Sequence, residues 1–120
     1  MYNYSAKVIR VIDGDTVELL IDLGRNIFIK ETIRLYGINA PEKKGLTHEA
    51  GVKSMMYLDK ILSTIIGGKI YIQTIKDQND KYGRLLGILH YSEFYNSFEN
   101  SINQQMITDG YAIAAPASWK

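Results

Sequence analysis

The stretch that decides the fold is AKVIRVIDGDTVELLID, residues 6–22. Aliphatic and β-branched residues alternate with polar ones on both sides of a central Asp13-Gly14-Asp15 turn, which is the pattern of a β-hairpin. Asp-Gly is a common signal for the tight reversal that joins two antiparallel strands. The stretch therefore predicts one strand over residues 6–12 and a second over residues 16–22.

The chain after the hairpin predicts one more strand and then a helix. A turn at residues 23–26 contains Gly24 and leads into alternating apolar residues, which predict a third strand over residues 27–36. Thr47 is a good helix N-cap, and apolar residues follow it near helical spacing until Gly67-Gly68. A single helix is therefore expected between the third and fourth strands.

The last third of the chain predicts two strands and a short helix. The strands cover residues 69–75 and 85–90 and are joined by a polar loop over residues 76–84. The short C-terminal helix covers residues 101–109 and ends at Gly110. Residues 92–100 fit either a loop or the beginning of a helix.

This order of elements predicts a mainly β fold with helices, in the α+β class. Five short strands with one helix between strands 3 and 4, and a short C-terminal helix, are the elements of an OB-fold barrel. No repeat or linker interrupts the chain, so residues 1–120 are expected to form a single domain. OB barrels commonly bind oligonucleotides, but a fold alone does not give a function.

Composition excludes several classes of protein. The 120 residues carry a formal net charge of +1, so the chain lacks the strongly basic character of a protein that coats DNA. The absence of cysteine excludes a disulfide framework and a thiolate metal site. The first residues contain no apolar leader and no stretch is long enough to span a bilayer, so we expect a cytoplasmic protein or part of an intracellular assembly without membrane contact.

Three motifs carry the chemistry. They are Asp13-Gly14-Asp15-Thr16, the nine residues RLYGINAPE from Arg34 to Glu42, and the five residues DKYGR from Asp80 to Arg84. Together they supply oxygen ligands for a hard cation, two guanidinium groups for phosphate oxygens and a carboxylate to activate water. These are the groups that metal-assisted cleavage of a phosphodiester bond requires.

In this order, and with strands and a helix between them, the motifs resemble the staphylococcal nuclease-like (thermonuclease) family over about residues 6–114. The resemblance implies calcium-dependent hydrolysis of phosphodiester bonds in DNA or RNA. The expected enzyme is an endonuclease with little sequence preference that leaves 3′-phosphate products.

The resemblance also implies a role for individual residues. The Ca²⁺ ligands would be the Asp15 carboxylate, the Asn39 side chain and the Ala40 backbone carbonyl. Asn39 stands where the family has a carboxylate, so we expect weaker metal binding.

The remaining site residues act on the substrate in this interpretation. Glu42 matches the general base, while Arg34 and Arg84 match the two arginines that clamp the phosphate. Lys81 and Tyr82 match positions that contact the nucleotide.

Each motif also has an ordinary structural explanation. The Asp13–Thr16 run could be only a hairpin turn, and residues 80–84 only a solvated loop. Arg34 could be a surface cation or a partner of Glu31. His48 and His90 lack neighbours at metal-ligand spacing, so neither is expected to be catalytic.

Two other functions stay open at this point. A catalytically weak or inactive barrel could serve as a nucleic-acid-binding or protein-assembly module, as Asn39 and a possible protein contact surface at Phe94, Tyr95 and Phe98 suggest. A plain single-strand binder would need aromatic platforms along the barrel, but the strand residues are mainly aliphatic. Base stacking from Tyr111 or Trp119 has no support from their spacing.

Overall fold

The computed structural model describes residues 2–79, 82–94 and 97–115. Within these ranges the helices are α1 (His48–Ser63) and α2 (Ile102–Thr108). Single 3₁₀ turns cover Gly45–Thr47, Ile66–Gly68 and Phe98–Asn100. The strands are β1 (Tyr2–Asp13), β2 (Thr16–Asp22), β3 (Phe28–Leu35), β4 (Ile38–Asn39), β5 (Lys69–Asn79), β6 (Leu85–His90) and β7 (Ile113–Ala114).

The five long strands close into a barrel. They follow the order β1-β2-β3-β6-β5, and β5 returns to β1 to complete the circle. β3 and β6 run parallel, whereas the other neighbouring strands are antiparallel. The predicted five-stranded barrel, with α1 between its third and fourth strands and the short helix α2 near the C-terminus, is confirmed.

Inward-facing residues of the strands form one hydrophobic core. The alternation read from the sequence is observed in β2, where Val17, Leu19 and Ile21 are buried. α1 adds Leu58, Ile61 and Leu62, and α2 adds its own apolar face. Each fully buried side chain of this size contributes about 1.5–3 kcal/mol, so the barrel and both helices share a single stabilising core.

Two strands are longer than the sequence patterns predict. β1 begins at Tyr2 because residues 2–7 pair with β5, from Tyr2 opposite Thr74 to Lys7 opposite Lys69. β5 in turn continues to Asn79, into the predicted polar loop. Pairing with a neighbouring strand, and not hydrophobic alternation, sets these boundaries.

The bounds of α1 also differ from the prediction. The helix ends at Ser63, because Ile65 is extended and Gly67 and Gly68 adopt positive φ angles of 75° and 67°. Thr47 occupies the N-cap position, but its hydroxyl does not cap the helix. It donates instead to the carbonyls of Glu42 at 2.6 Å and Lys44 at 3.1 Å.

A two-residue sheet that the sequence did not predict joins distant parts of the chain. Ile38 pairs with Ala114 and Asn39 with Ile113, so β4 and β7 are antiparallel neighbours. Ala115 N also donates to Gly37 O at 2.9 Å. The segment after α2 therefore fixes the backbone of Asn39.

The aromatic segment after β6 is only partly exposed. Phe94 is 81% exposed, whereas Phe98 is half-buried and packs against the core next to Gly37. Tyr95 lies outside the described residues. The expected contact surface at Phe94–Phe98 therefore needs correction at Phe98, whose ring covers the barrel.

No helix in the described ranges combines the length and apolar character needed to cross a membrane.

Candidate functional site

The first two motifs meet at one end of the barrel. Thr16 at the start of β2 lies opposite Arg34 near the end of β3. Leu35 N donates to Asp15 O at 2.7 Å, which ties the hairpin turn to the end of β3. Strand register therefore brings residues that are about 20 positions apart into one site.

Arg34 is buried and holds this site together. Its Nη1 donates to the Leu35 carbonyl at 2.9 Å and its Nη2 to Asn39 Oδ1 at 2.5 Å. Nη2 also lies 3.4 Å from Asp15 Oδ2. A buried guanidinium is tolerated because the charge is paired and hydrogen-bonded. Arg34 is therefore neither a surface cation nor a partner of Glu31, and both ordinary explanations for it are wrong.

Asp15 links the hairpin turn to the loop after β4. Its Oδ2 accepts a hydrogen bond from Ala40 N at 2.8 Å, and its Oδ1 accepts one from Thr16 Oγ1 at 3.0 Å. Asp15 is half-buried, which strengthens its attraction to the nearby Arg34 cation. The Asp13–Thr16 run is thus both a turn and one wall of the site.

Arg84 reaches the same wall from the segment before β6. Its Nη1 lies 3.4 Å from Thr16 Oγ1, and its guanidinium lies 5.2 Å from the centroid of the Tyr82 ring. Tyr82 is itself exposed. Asp80 and Lys81 lie outside the described residues, so the predicted role of Lys81 stays a prediction.

Glu42 is exposed, but its backbone is tightly held. The Thr47 hydroxyl donates to the Glu42 carbonyl, as described above. Gly51 of α1 allows a close approach, since a Cβ there would lie 2.5 Å from the backbone carbonyl carbon and oxygen of Glu42. Lys43 Nζ donates to Ile12 O at 2.7 Å and pairs with Asp13 at 3.5 Å. The loop therefore presents an exposed carboxylate on an anchored backbone.

Three residues that the sequence motifs do not contain support the turn from behind, namely Ser54, Tyr57 and Tyr111. A side chain at Gly14 would collide with Ser54 and with Ala40 Cβ, so only glycine fits there. Ser54 Oγ donates to the Tyr111 carbonyl at 2.8 Å. Ser54 lies four residues before Leu58, on the stripe of α1 that faces the core, and this spacing is the sequence signal that points to it.

Tyr111 also packs behind the turn. Its ring stacks on that of Tyr57, with centroids 4.0 Å apart. The Tyr57 hydroxyl donates to the Asp109 carboxylate, and this hydrogen bond raises the pKa of Tyr57. Tyr111 therefore packs against α1, and Trp119 lies outside the described residues.

The donor atoms at the site fit a hard cation in kind. The Asp15 carboxylate, the Asn39 amide oxygen and the Ala40 backbone lie together, because Arg34 contacts both Asp15 and Asn39, and Asp15 accepts a hydrogen bond from Ala40 N. Oxygen ligands of these types are those that Ca²⁺ takes in proteins. In the described ranges no group of three or more His, Cys, Asp or Glu side chains gathers at a metal-ligand spacing. The donor set therefore matches calcium in chemistry but is low in charge.

The structure thus brings together Asp15, Arg34, Asn39 and Ala40 by direct contact. Arg84 joins them through Thr16, and Glu42 follows on the anchored loop. This closed five-stranded barrel is of the OB type, and the groups gathered at its end are those expected from the resemblance of the three motifs.

Comparison with known proteins gives the family. The chain belongs to the family described as staphylococcal nuclease homologue, whose model matches residues 32–120. It is 33% identical over 106 residues to a protein of Escherichia coli named uncharacterized endonuclease, a match that covers 88% of this chain and 58% of that protein. It is 31% identical over 117 residues to Endonuclease YhcR of Bacillus subtilis strain 168, covering 91% of this chain and 9% of that protein.

The resemblance inferred from the three motifs is therefore confirmed. The chain spans a little over half of the Escherichia coli relative and a small part of the Bacillus subtilis relative.

Proposed function

We propose that this domain hydrolyses phosphodiester bonds in DNA or RNA as a calcium-dependent endonuclease. One observation carries the proposal: contacts through Arg34 and Thr16 join Asp15, Asn39, Ala40 and Arg84 into a single network at one end of the barrel. A barrel kept only as a scaffold has no need of a buried guanidinium in contact with a carboxylate and an amide. The names of the two relatives, which are endonucleases, also support this function.

Each residue has a proposed task in the reaction. Arg34 and Arg84 bind the phosphate, because a planar guanidinium can hold two phosphate oxygens and stabilise the charge that builds on them. Glu42 accepts a proton from the attacking water. The new bond forms between the water oxygen and phosphorus as the bond from phosphorus to the 5′ oxygen breaks. The departing 5′ oxygen takes a proton from solvent, which leaves a 3′-phosphate and a 5′-hydroxyl.

Asp15, Asn39 and the Ala40 carbonyl are the proposed ligands of calcium. When bound, the cation lowers the pKa of nearby water and offsets negative charge on the phosphate. Tyr82, exposed beside Arg84, and Lys81 are the proposed contacts to the nucleotide. Little sequence preference is expected, because these groups contact phosphate and not base edges.

The test of this function is cleavage of plasmid and single-stranded DNA with calcium or with a chelator. We expect cleavage with calcium that is lost in chelator and in Glu42→Gln, which keeps the shape of the side chain but cannot accept the proton. Glu49→Gln is a matched control, since Glu49 is an exposed carboxylate in the first turn of α1. Cleavage by Glu42→Gln at the wild-type rate would remove Glu42 from the mechanism.

Asn39→Asp tests whether the site is a weakened calcium site. An added carboxylate should attract the dication and also pair with Arg34, so activity should rise at low calcium. The gain should shrink as calcium approaches saturation. Rates measured against calcium concentration for both proteins give the answer. No cleavage by either protein at any calcium concentration, with the fold intact, would favour the inactive binding or assembly module instead.

A further inference from the structure

Strand register places three lysines in a row on the outer face of the barrel. Lys7 of β1 lies directly opposite Lys69 of β5. On its other side Lys7 lies opposite Leu20 of β2, which in turn lies opposite Lys30 of β3. Side chains of directly opposed residues project from the same face of a sheet, and all three lysines are exposed. We call Lys7, Lys30 and Lys69 the lysine row.

The row is electrostatically unfavourable as it stands. Like charges placed directly opposite each other on neighbouring strands destabilise a sheet. Ion pairs with carboxylates are found for Arg10, Arg34, Lys43 and Lys53 in the described parts of the chain, but not for the lysine row. A bound polyanion would relieve this repulsion, and a row of phosphates matches a row of ammonium groups.

An aromatic and polar depression adjoins one end of the row. Lys69 Nζ lies 5.7 Å from the centroid of the Tyr71 ring, and Tyr71 lies opposite Ser5 on one side and His90 on the other. These residues line a depression of about 330 Å³. Glu93 also lines it and opposes an anion there, so the depression suits a base and the lysine row suits the phosphates.

His90 contributes a buried imidazole to the lining of the depression. Its side chain is buried, and its Nε2 lies 3.0 Å from Gln73 Oε1. Nδ1 has no hydrogen-bond partner within the described residues. Nδ1 is itself buried, so contacts between the depression and a ligand are expected from Tyr71.

This surface is distinct from the candidate active site. His90 follows Arg84 by six positions along β6, which is roughly 20 Å at 3.3 Å per residue. A nucleic-acid strand of roughly six nucleotides, at about 3.4 Å each, covers that distance. One strand could therefore occupy both surfaces.

We propose that the lysine row and the Tyr71–His90 depression form a second binding surface for single-stranded nucleic acid. The lysines contact the phosphates, and Tyr71 stacks with an unpaired base. Stacking on Tyr71 requires an unpaired base, which is why the ligand is single-stranded. The proposal rests on the proposed function for the nature of the ligand and adds a surface that holds the strand away from the cleavage site.

The test measures how tightly a labelled oligothymidylate of about 12 nucleotides binds to the full chain in the presence of chelator. Binding is measured by fluorescence anisotropy at several salt concentrations. The double variant Lys7→Gln/Lys69→Gln should weaken binding roughly tenfold and lower the slope of log affinity against log salt by about 1.4. Lys53→Gln/Lys60→Gln, which changes two exposed lysines of α1, is the matched control and should bind like the wild type.

A second pair of variants tests the depression. Tyr71→Leu should lose roughly tenfold in affinity, whereas Tyr71→Phe should keep most of it because the ring remains. A duplex of the same sequence should not show this difference. Wild-type affinity in the lysine double variant, no binding by the wild type, or equal loss for Tyr71→Leu and Tyr71→Phe would each overturn the proposal.

Cleavage of a dinucleotide separates this proposal from the proposed function. A dinucleotide is too short to reach both surfaces, so its cleavage should be unchanged in the lysine variant while KM for long substrates rises. A wild type that binds the oligonucleotide through the row but cleaves nothing would sustain the binding surface and refute the nuclease. A wild type that cleaves normally, together with lysine-row variants that bind normally, would support the nuclease and refute the second binding surface.

Discussion

At the scale of single residues, the two arginines differ in how the protein holds them. Arg34 is buried and bridges Asn39, Leu35 and Asp15, whereas Arg84 is half-buried and touches Thr16 at 3.4 Å. Lysine keeps the charge of arginine but lacks its planar set of donors. Replacement by lysine should therefore lower activity at both positions and should also affect folding at Arg34, which is buried.

We predict that Arg34→Lys and Arg84→Lys each lower the cleavage rate by roughly 10²-fold or more, about 3 kcal/mol of transition-state stabilisation. Arg34→Lys should also lower the free energy of unfolding by roughly 2 kcal/mol, since buried acceptors lose their donors. Arg84→Lys should lower it by less than Arg34→Lys does, because Arg84 is half-buried and Arg34 is buried. Rates and urea unfolding of the three proteins check this, and full activity in both variants would exclude the phosphate clamp.

His90 should make stability depend on pH. Burial lowers the pKa of its imidazole, so the folded state holds His90 neutral at a pH where the unfolded chain takes up a proton. Stability is then complete above about pH 6.5, the ordinary pKa of histidine, and falls as the pH drops below it.

We predict that the free energy of unfolding decreases from about pH 7.5 to about pH 5.5, and decreases less in His90→Gln. His48→Gln changes an exposed histidine and should keep the wild-type dependence. Urea unfolding across this range is the measurement. The same pH dependence in wild type and His90→Gln would show that His90 is not the source.

At the scale of elements, the contact between α1 and the Glu42 loop sets the geometry of the site. Gly51 lets the helix approach the loop, and a Cβ there would lie 2.5 Å from the Glu42 backbone and 2.7 Å from Lys43 N. The neighbour is backbone, which cannot rotate away as a side chain can. The loop must move if Gly51 gains a methyl group.

We predict that Gly51→Ala lowers the cleavage rate by roughly 10²-fold, because a shift of the loop displaces Glu42. Ala50→Gly, at an exposed position of the same helix, is the control. It should lower the free energy of unfolding by about 1 kcal/mol and leave the cleavage rate unchanged below the unfolding temperature. Rates and thermal unfolding of both variants are compared. Equal rates for Gly51→Ala and the wild type would show that the loop does not position Glu42.

Elements with a local pattern could be predicted from the sequence, and long-range pairings could not. The β1–β2 hairpin follows from alternation around Asp13-Gly14, and its neighbours follow from similar patterns. β4 and β7 each contain two residues and lie about 75 positions apart in the chain, so no local pattern predicts that they pair. The end of α1 was missed for a related reason, since its apolar spacing continues past the point where Gly67 and Gly68 turn the backbone.

The same distinction applies to the site. Motif order was enough to nominate Asp15, Arg34 and Arg84, because each lies in a recognisable run. The contact of Arg34 with Asn39, and the packing of Gly14 on Ser54, depend on how the helix and barrel meet. These contacts are properties of the tertiary structure and leave no trace in residue spacing.

At the scale of the whole molecule, the residues that stabilise the fold differ from those of the proposed metal site. Residues of the proposed metal site lie in turns and a two-residue strand, while the buried side chains of the barrel come from all five long strands and both helices. Folding should therefore depend on the core and not on the cation.

We predict that a chelator lowers the free energy of unfolding by less than about 1 kcal/mol at calcium concentrations near the dissociation constant of the site. Thermal unfolding with calcium and with chelator is the measurement, and magnesium chloride at equal ionic strength is the control. Loss of the folded state in chelator would mean that metal binding and folding are coupled, and the assignment of a catalytic site at Asp15 and Asn39 would need replacement.

The pairing of β4 with β7 has a consequence for the newly made protein. Ribosomes synthesise a chain from its N-terminus at about 5–20 residues per second, so residues 113–115 leave the ribosome several seconds after Asn39. Until they do, Asn39 lacks its strand partner and Gly37 O lacks the donor from Ala115. The backbone of Asn39 therefore reaches its paired geometry only after residues 113–115 have left the ribosome.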